Sequence, residues 1–282
     1  MTGWTTLVSA ETLADALYRE DLVVVDCRFS LADTASGERA YARSHLPGAV
    51  YAHLDRDLSD HRKQDAGRHP WPEAADFTVR LGSWGISPRT QVVAYDDGDG
   101  AHAARLWFLL RSLGHERVAV LDGGWARWQQ LGLPTQVEIP TPRHDRYDAA
   151  FDATRLLDAL QVQSHLERGG LLLDARSAER FRGEVEPIDR VAGHVPGARN
   201  RPYALNLAEG RFKSSQQLSS EFRELLQGHA PDEVVAMCGS GVTACHHLLA
   251  MAHAGLPGAK LFTGSWSGWI SDPARPVAAG DR

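Results

Sequence analysis

Short apolar runs alternate with helix-spaced apolar positions along most of this 282-residue chain. Val24-Val25, Val92-Val-Ala94, Leu172-Leu173 and Val234-Val-Ala236 read as buried strands, and Leu106 to Leu113 and His246 to Ala254 as helices. Apolar strands that alternate with helices predict an α/β fold, with mainly parallel sheets covered by helices on both faces.

The pattern is written twice. Ser9-Ala-Glu-Thr-Leu returns as Asp152-Ala-Thr-Arg-Leu, each a capping residue ahead of helix-spaced apolar positions. Val24-Val-Asp-Cys-Arg28 returns as Leu172-Leu-Asp-Ala-Arg176, and His45-Leu-Pro-Gly-Ala49 as His194-Val-Pro-Gly-Ala198. Val92-Val-Ala-Tyr-Asp96 returns as Val234-Val-Ala-Met-Cys238, and Gly124-Trp-Ala-Arg-Trp128 as Ser265-Trp-Ser-Gly-Trp269. Two tandem domains follow, over residues 1–140 and 152–282. They are joined by Leu133 to Asp152, where Pro134, Pro140 and Pro142 and the charged run from Arg143 to Asp148 read as a linker.

One segment carries more chemistry than the rest. In Val234-Val-Ala-Met-Cys-Gly-Ser-Gly-Val-Thr243 an apolar strand ends in a cysteine, and a tight loop then feeds a helix start. In parallel sheets the ligand crevice lies outside the carboxyl ends of the strands, and backbone N–H groups at a helix start favour an anion there. Cys238 is therefore the candidate nucleophile, in a cradle of Gly239, Ser240, Gly241, Val242 and Thr243. The first copy has Asp96 at the matching position and is expected to be catalytically inactive.

Composition narrows the setting. The net charge is −6, from 30 Lys and Arg against 36 Asp and Glu, with no basic block, so neither nucleic acid nor an anionic membrane is expected as a partner. No stretch of about 18 apolar residues predicts a membrane span. Residues 1–13 lack the pattern of a signal peptide, and three cysteines are too few for a disulfide framework. A cytoplasmic location is expected.

The ordered repeats, the Phe181-Arg-Gly183 segment and the Cys238-Gly-Ser-Gly-Val-Thr243 loop resemble the tandem-domain rhodanese sulfurtransferases, and most of all their 3-mercaptopyruvate branch. The resemblance spans nearly the whole chain. It implies a sulfane sulfur passing from 3-mercaptopyruvate through a Cys238 persulfide to a thiol or cyanide acceptor, with thioredoxin among the thiols, and no cofactor. Thiosulfate:cyanide transfer is the alternative, but that branch usually has Arg-Lys after the cysteine, and positions 239 to 243 carry no cation. The resemblance further implies Ser240 as a catalytic hydroxyl and Arg182 and Arg190 as guanidinium groups for the donor's carboxylate and carbonyl. It adds His69 as a contribution from the first half. His45 and His194 read as structural turn residues, and Asp174 and Arg176 as braces of a strand end.

Other chemistries fit less well. Cysteine phosphatases need Cys-x5-Arg, and the corresponding residue is Ala244. A non-enzymatic protein-binding module or persulfide carrier is a third reading, favoured for single copies that lack the cysteine, and Cys238 speaks against it. Cys238, Cys245, His246 and His247 are close in sequence but lack the spacing of a zinc site, so no metal is expected. Cys245 and Cys27 read as packing residues.

Overall fold

A computed structural model describes residues 3–281. The chain divides into two compact units. The first holds the chain up to Asp60 together with Pro72–Asp152 and Glu209–Phe212, and the second holds His61–Trp71, Ala153–Ala208 and the chain from Lys213 on.

The first unit is built on a five-stranded sheet of β1 (Leu7–Val8), β2 (Leu22–Asp26), β3 (Val50–Tyr51), β4 (Gln91–Tyr95) and β5 (Val118–Leu121), in the order β1-β5-β4-β2-β3. Every pairing is parallel. The second unit repeats the plan with β6 (Leu156–Leu157), β7 (Leu171–Asp174), β8 (Arg199–Asn200), β9 (Val234–Met237) and β10 (Lys260–Phe262), in the order β6-β10-β9-β7-β8, again all parallel. All residues of the central strands β4 and β9 are buried, as two covered faces require.

The Asp-x-Arg strand ends explain part of the repeat. Arg28 pairs with Asp26 through Nε and Nη2 and lies 4.5 Å from the Trp125 ring centroid. Arg176 pairs with Asp174 in the same way, 4.7 Å from the Trp266 ring. Each buried charge thus has a partner and an aromatic face. His45 Nδ1 lies 2.8 Å from the Tyr41 carbonyl and His194 Nδ1 2.8 Å from that of Phe181, so both histidines fasten turns.

One start signal is displaced. Asp152 does not begin a helix: Ala153–Arg155 form a 3-10 turn, Leu156–Leu157 become an edge strand, and Asp158 caps the helix Ala159–Glu167 in a capping box with Gln161. The true counterpart of Ser9, whose side chain accepts the Thr12 N–H, is therefore Asp158. The pair Leu156-Leu157 is taken into the sheet by β10, which overrides a weak local helix pattern.

The segment 61–71 is bound to the second unit by its backbone. Arg68 N donates to Ser267 Oγ at 2.9 Å, and Ser271 Oγ donates to the Asp65 carbonyl at 3.3 Å. Gly67, at φ +90°, sits so close that a Cβ would lie 2.5 Å from the Gly264 carbonyl oxygen.

Candidate active site

β9 ends at Met237, Cys238 follows, and the helix Thr243–His253 begins five residues later, with Val242 at its cap position. The loop between is held from a second side by the helix Ser265–Trp269. Ser265 Oγ accepts the Cys238 N–H at 3.1 Å. Trp266 N and Ser267 N donate to the carbonyls of Cys238 and Gly239, each at 2.9 Å. Cys238 is 2% exposed, and its Sγ accepts the Gly241 N–H at 3.1 Å, a contact that strengthens when the sulfur is ionised.

Two of the expected partners come together beside it. Ser240 Oγ lies 2.8 Å from His69 Nδ1, and both side chains are buried. A hydroxyl hydrogen-bonded to an imidazole can pass a proton in either direction, according to which ring nitrogen carries the hydrogen.

The two expected arginines have partners other than the Cys238 loop: Glu184 for Arg182, and the Ile270 and Ser271 carbonyls for Arg190. Arg182 is engaged through Nε and Nη2 with Glu184 at 2.8 and 2.9 Å and lines a surface cavity with Arg199, Asn200 and Asp281. Arg190 donates to the carbonyls of Ile270 and Ser271. The guanidinium groups against the loop belong to Arg68 and Arg180: a Cβ placed on Gly239 would meet Arg68 Nη2 at 3.1 Å and Arg180 Nη1 at 3.6 Å. Arg180 and Arg182 share the helix Ala178–Arg182, where two positions correspond to about 200°, so only one of them can face the loop. Asp189 holds the pair, with Oδ1 2.6 Å from Arg68 Nη1 and Oδ2 2.9 Å from Arg180 Nη2. Glu186 takes the Nε and Nη2 edge of Arg180 at 3.2 and 2.8 Å. Gly239 is thus the residue that leaves room for both cations.

The corresponding loop of the first unit shows what such a cradle offers. Asp96 follows β4, and its carboxylate accepts the N–H groups of Gly98, Gly100, His102 and Ala103 at 2.9–3.1 Å. His102 and Ala103 belong to the first turn of the helix Ala101–Ser112. An anion therefore occupies the ring of donors at this helix start, and here the chain supplies it.

Cys27, Cys245, His246 and His247 are buried packing residues. Burial above all, then the nearby Asp26, Asp96 and Asp57, pushes the Cys27 thiol well up. Cys245 Sγ donates to the Gly241 carbonyl at 3.2 Å. Asn206 Nδ2 donates to Nδ1 of both His246 and His247, at 3.1 and 2.9 Å.

Comparison with known proteins agrees with the repeat. The rhodanese-like domain family matches residues 9–131 and again 158–272. A probable 3-mercaptopyruvate sulfurtransferase of Pseudomonas aeruginosa is 50% identical over 279 residues, covering 98% of each chain. A putative thiosulfate sulfurtransferase, SseB, of Mycobacterium tuberculosis is 40% identical over 283 residues, covering 97% of each. Among solved structures, SseA of Escherichia coli, a 3-mercaptopyruvate sulfotransferase, superposes with a TM-score of 0.79 at 32% identity, covering 94% of this chain and 100% of that one. The 3-mercaptopyruvate sulfurtransferase from Leishmania major gives a TM-score of 0.83 at 29% identity, covering 95% of this chain and 76% of that one. A family match in both halves, together with relatives that run nearly end to end with the chain, places it in the rhodanese family, as a two-domain enzyme of sulfur transfer.

Proposed function

We propose that the enzyme moves sulfur from 3-mercaptopyruvate through a persulfide on Cys238 to a thiol or cyanide acceptor. The observation that carries this reading is the grouping, on one loop, of a nucleophilic sulfur that accepts a backbone N–H and a hydroxyl paired with an imidazole. The Cys238 thiolate attacks the donor's thiol sulfur, and the carbon–sulfur bond breaks with its electron pair leaving to carbon as the pyruvate enolate. The proton that began on the donor's thiol ends on that carbon, passed through Ser240 and His69, and Cys238 is left as a persulfide anion. In the second half-reaction an acceptor thiolate or cyanide attacks the outer sulfur and releases the Cys238 thiolate. Arg180, with Nη1 on the Gly239 side, attracts the donor's carboxylate.

The Pseudomonas and Escherichia relatives, named for 3-mercaptopyruvate, support this donor. Thiosulfate is the second reading, favoured by the two guanidinium groups beside Gly239 and by the name of the Mycobacterium relative. The first copy, with Asp96 in place of the nucleophile, is read as catalytically inactive, and a cytoplasmic thiol such as thioredoxin as an acceptor. Steady-state turnover with both donors and one acceptor tests the assignment. A larger kcat/KM for 3-mercaptopyruvate is expected, and a larger value for thiosulfate would replace the first reading by the second.

A further inference from the structure

The guanidinium of Arg68 is committed at one end only. Its Nη1 is held by Asp189 at 2.6 Å, while its Nε is buried with no hydrogen-bond partner among the described residues. Nε and Nη2 lie on one edge of the planar group and donate in parallel, the geometry that a carboxylate or sulfonate oxygen pair accepts. Nη2 is the atom that comes within 3.1 Å of a Cβ built on Gly239, next to the nucleophile. Arg180 differs, because Glu186 already takes its equivalent edge. A buried N–H left unpaired is costly, so this edge is stabilised by any anion that reaches it.

From this geometry we infer that Arg68 determines donor specificity by receiving the donor's anionic group on its Nε and Nη2 edge, beside Gly239. Asp189 is a positioning residue that fixes the plane of that edge. The inference rests on the reading of Cys238 as the sulfur-carrying nucleophile and deepens it: the loop has no cation of its own, and residue 68 supplies one from a distant part of the chain. The ligand class is a small anion whose charge lies a few atoms from a reactive sulfur.

Selective alkylation of Cys238 tests this without reference to the donor. Iodoacetate carries a carboxylate and iodoacetamide does not, so the ratio of their rates at Cys238, read by peptide mass spectrometry, reports anion capture at the loop. The Arg68→Met substitution is expected to lower that ratio about tenfold and to raise KM for the anionic donor about tenfold, with kcat within about threefold. The double substitution Arg68→Met with Asp189→Asn separates a donor edge from simple neutralisation of Asp189. The ratio stays low if the edge matters, and its return to within about twofold of the wild type overturns the proposal. Should Arg68→Met fail to fold, Arg68→Lys keeps a cation but not the fork: a ratio at least about threefold lower supports the edge, and an unchanged ratio overturns it. If neither 3-mercaptopyruvate nor thiosulfate sulfurates wild-type Cys238, the donor assignment fails while the alkylation ratio still decides the role of Arg68.

Discussion

His69 Nδ1 and Ser240 Oγ are 2.8 Å apart although the two residues are 171 positions apart in the chain. If the pair relays the donor's proton, Ser240→Ala and His69→Gln each lower kcat by roughly 10- to 100-fold. The double substitution then costs little more than the worse single one, because both remove the same relay. Additive losses in a double-mutant cycle would show that the two residues act independently and that no relay joins them.

Cys238→Ser should abolish turnover, and Cys27→Ser should leave it within about twofold. Treatment with donor in the absence of acceptor should add one sulfur to the peptide that contains Cys238. Intact-peptide mass spectrometry decides, and a modified Cys27 peptide would refute the assignment.

Arg180 and Arg182 make a paired test of the relocated guanidinium. Arg180→Ala removes a cation beside Gly239 and should lower kcat/KM for 3-mercaptopyruvate by roughly 10- to 100-fold. Arg182→Ala loses partly exposed pairs with Glu184 and Asp281 and should change the same constant less than about threefold. The reverse ranking, measured under the same conditions, would restore Arg182 to the site.

Acid sensitivity follows from His247. Burial pushes its imidazolium down to about 3, and its two ring nitrogens are committed: Nε2 is 2.7 Å from the Arg201 carbonyl, while Nδ1 accepts from Asn206. Burial also lowers His115 and His165. Above the ordinary histidine value near 6.5 folded and unfolded chains are both neutral at these positions, so the full stability is present. Below it the unfolded chain takes up protons that the folded one refuses, and each such histidine removes up to about 1.4 kcal/mol per pH unit. Urea midpoints should therefore fall between about pH 7 and pH 5, and His247→Gln should be less stable near pH 7 yet show a shallower fall.

Asp96→Ala should cost roughly 2–4 kcal/mol, because four backbone donors lose their common acceptor in a buried loop. Thermal or urea unfolding measures it, and a loss below about 0.5 kcal/mol would mean that water replaces the carboxylate without penalty.

The two sheets and the Cys238 loop were legible in the sequence because periodicity and strand-end chemistry are local. Runs such as Val234 to Met237 have no half-exposed alternative, and a repeated Asp-x-Arg marks equivalent strand ends. Helix phase was harder to read. Arg180 and Arg182 flank one phenylalanine in a motif of four residues, and only the packing of Phe181 into the core decides which of the two turns to the loop. Arg68 left a fainter trace, a cation directly before His69, since its meaning depends on a hydrogen bond to Ser267 nearly 200 residues away. Asp152 and Asp158 both precede apolar residues, and only strand pairing makes Asp158 the helix cap.

The carboxylate of Asp96 has a consequence for what that position can hold. A loop whose donors already hold a side chain of its own is self-liganded, a seal and not a port. Exchanging the acid for cysteine would match the residue at position 238 but would also pull the plug on which that loop is folded. Placing a thiol at position 96 would therefore demand a rebuilt loop, not a single substitution.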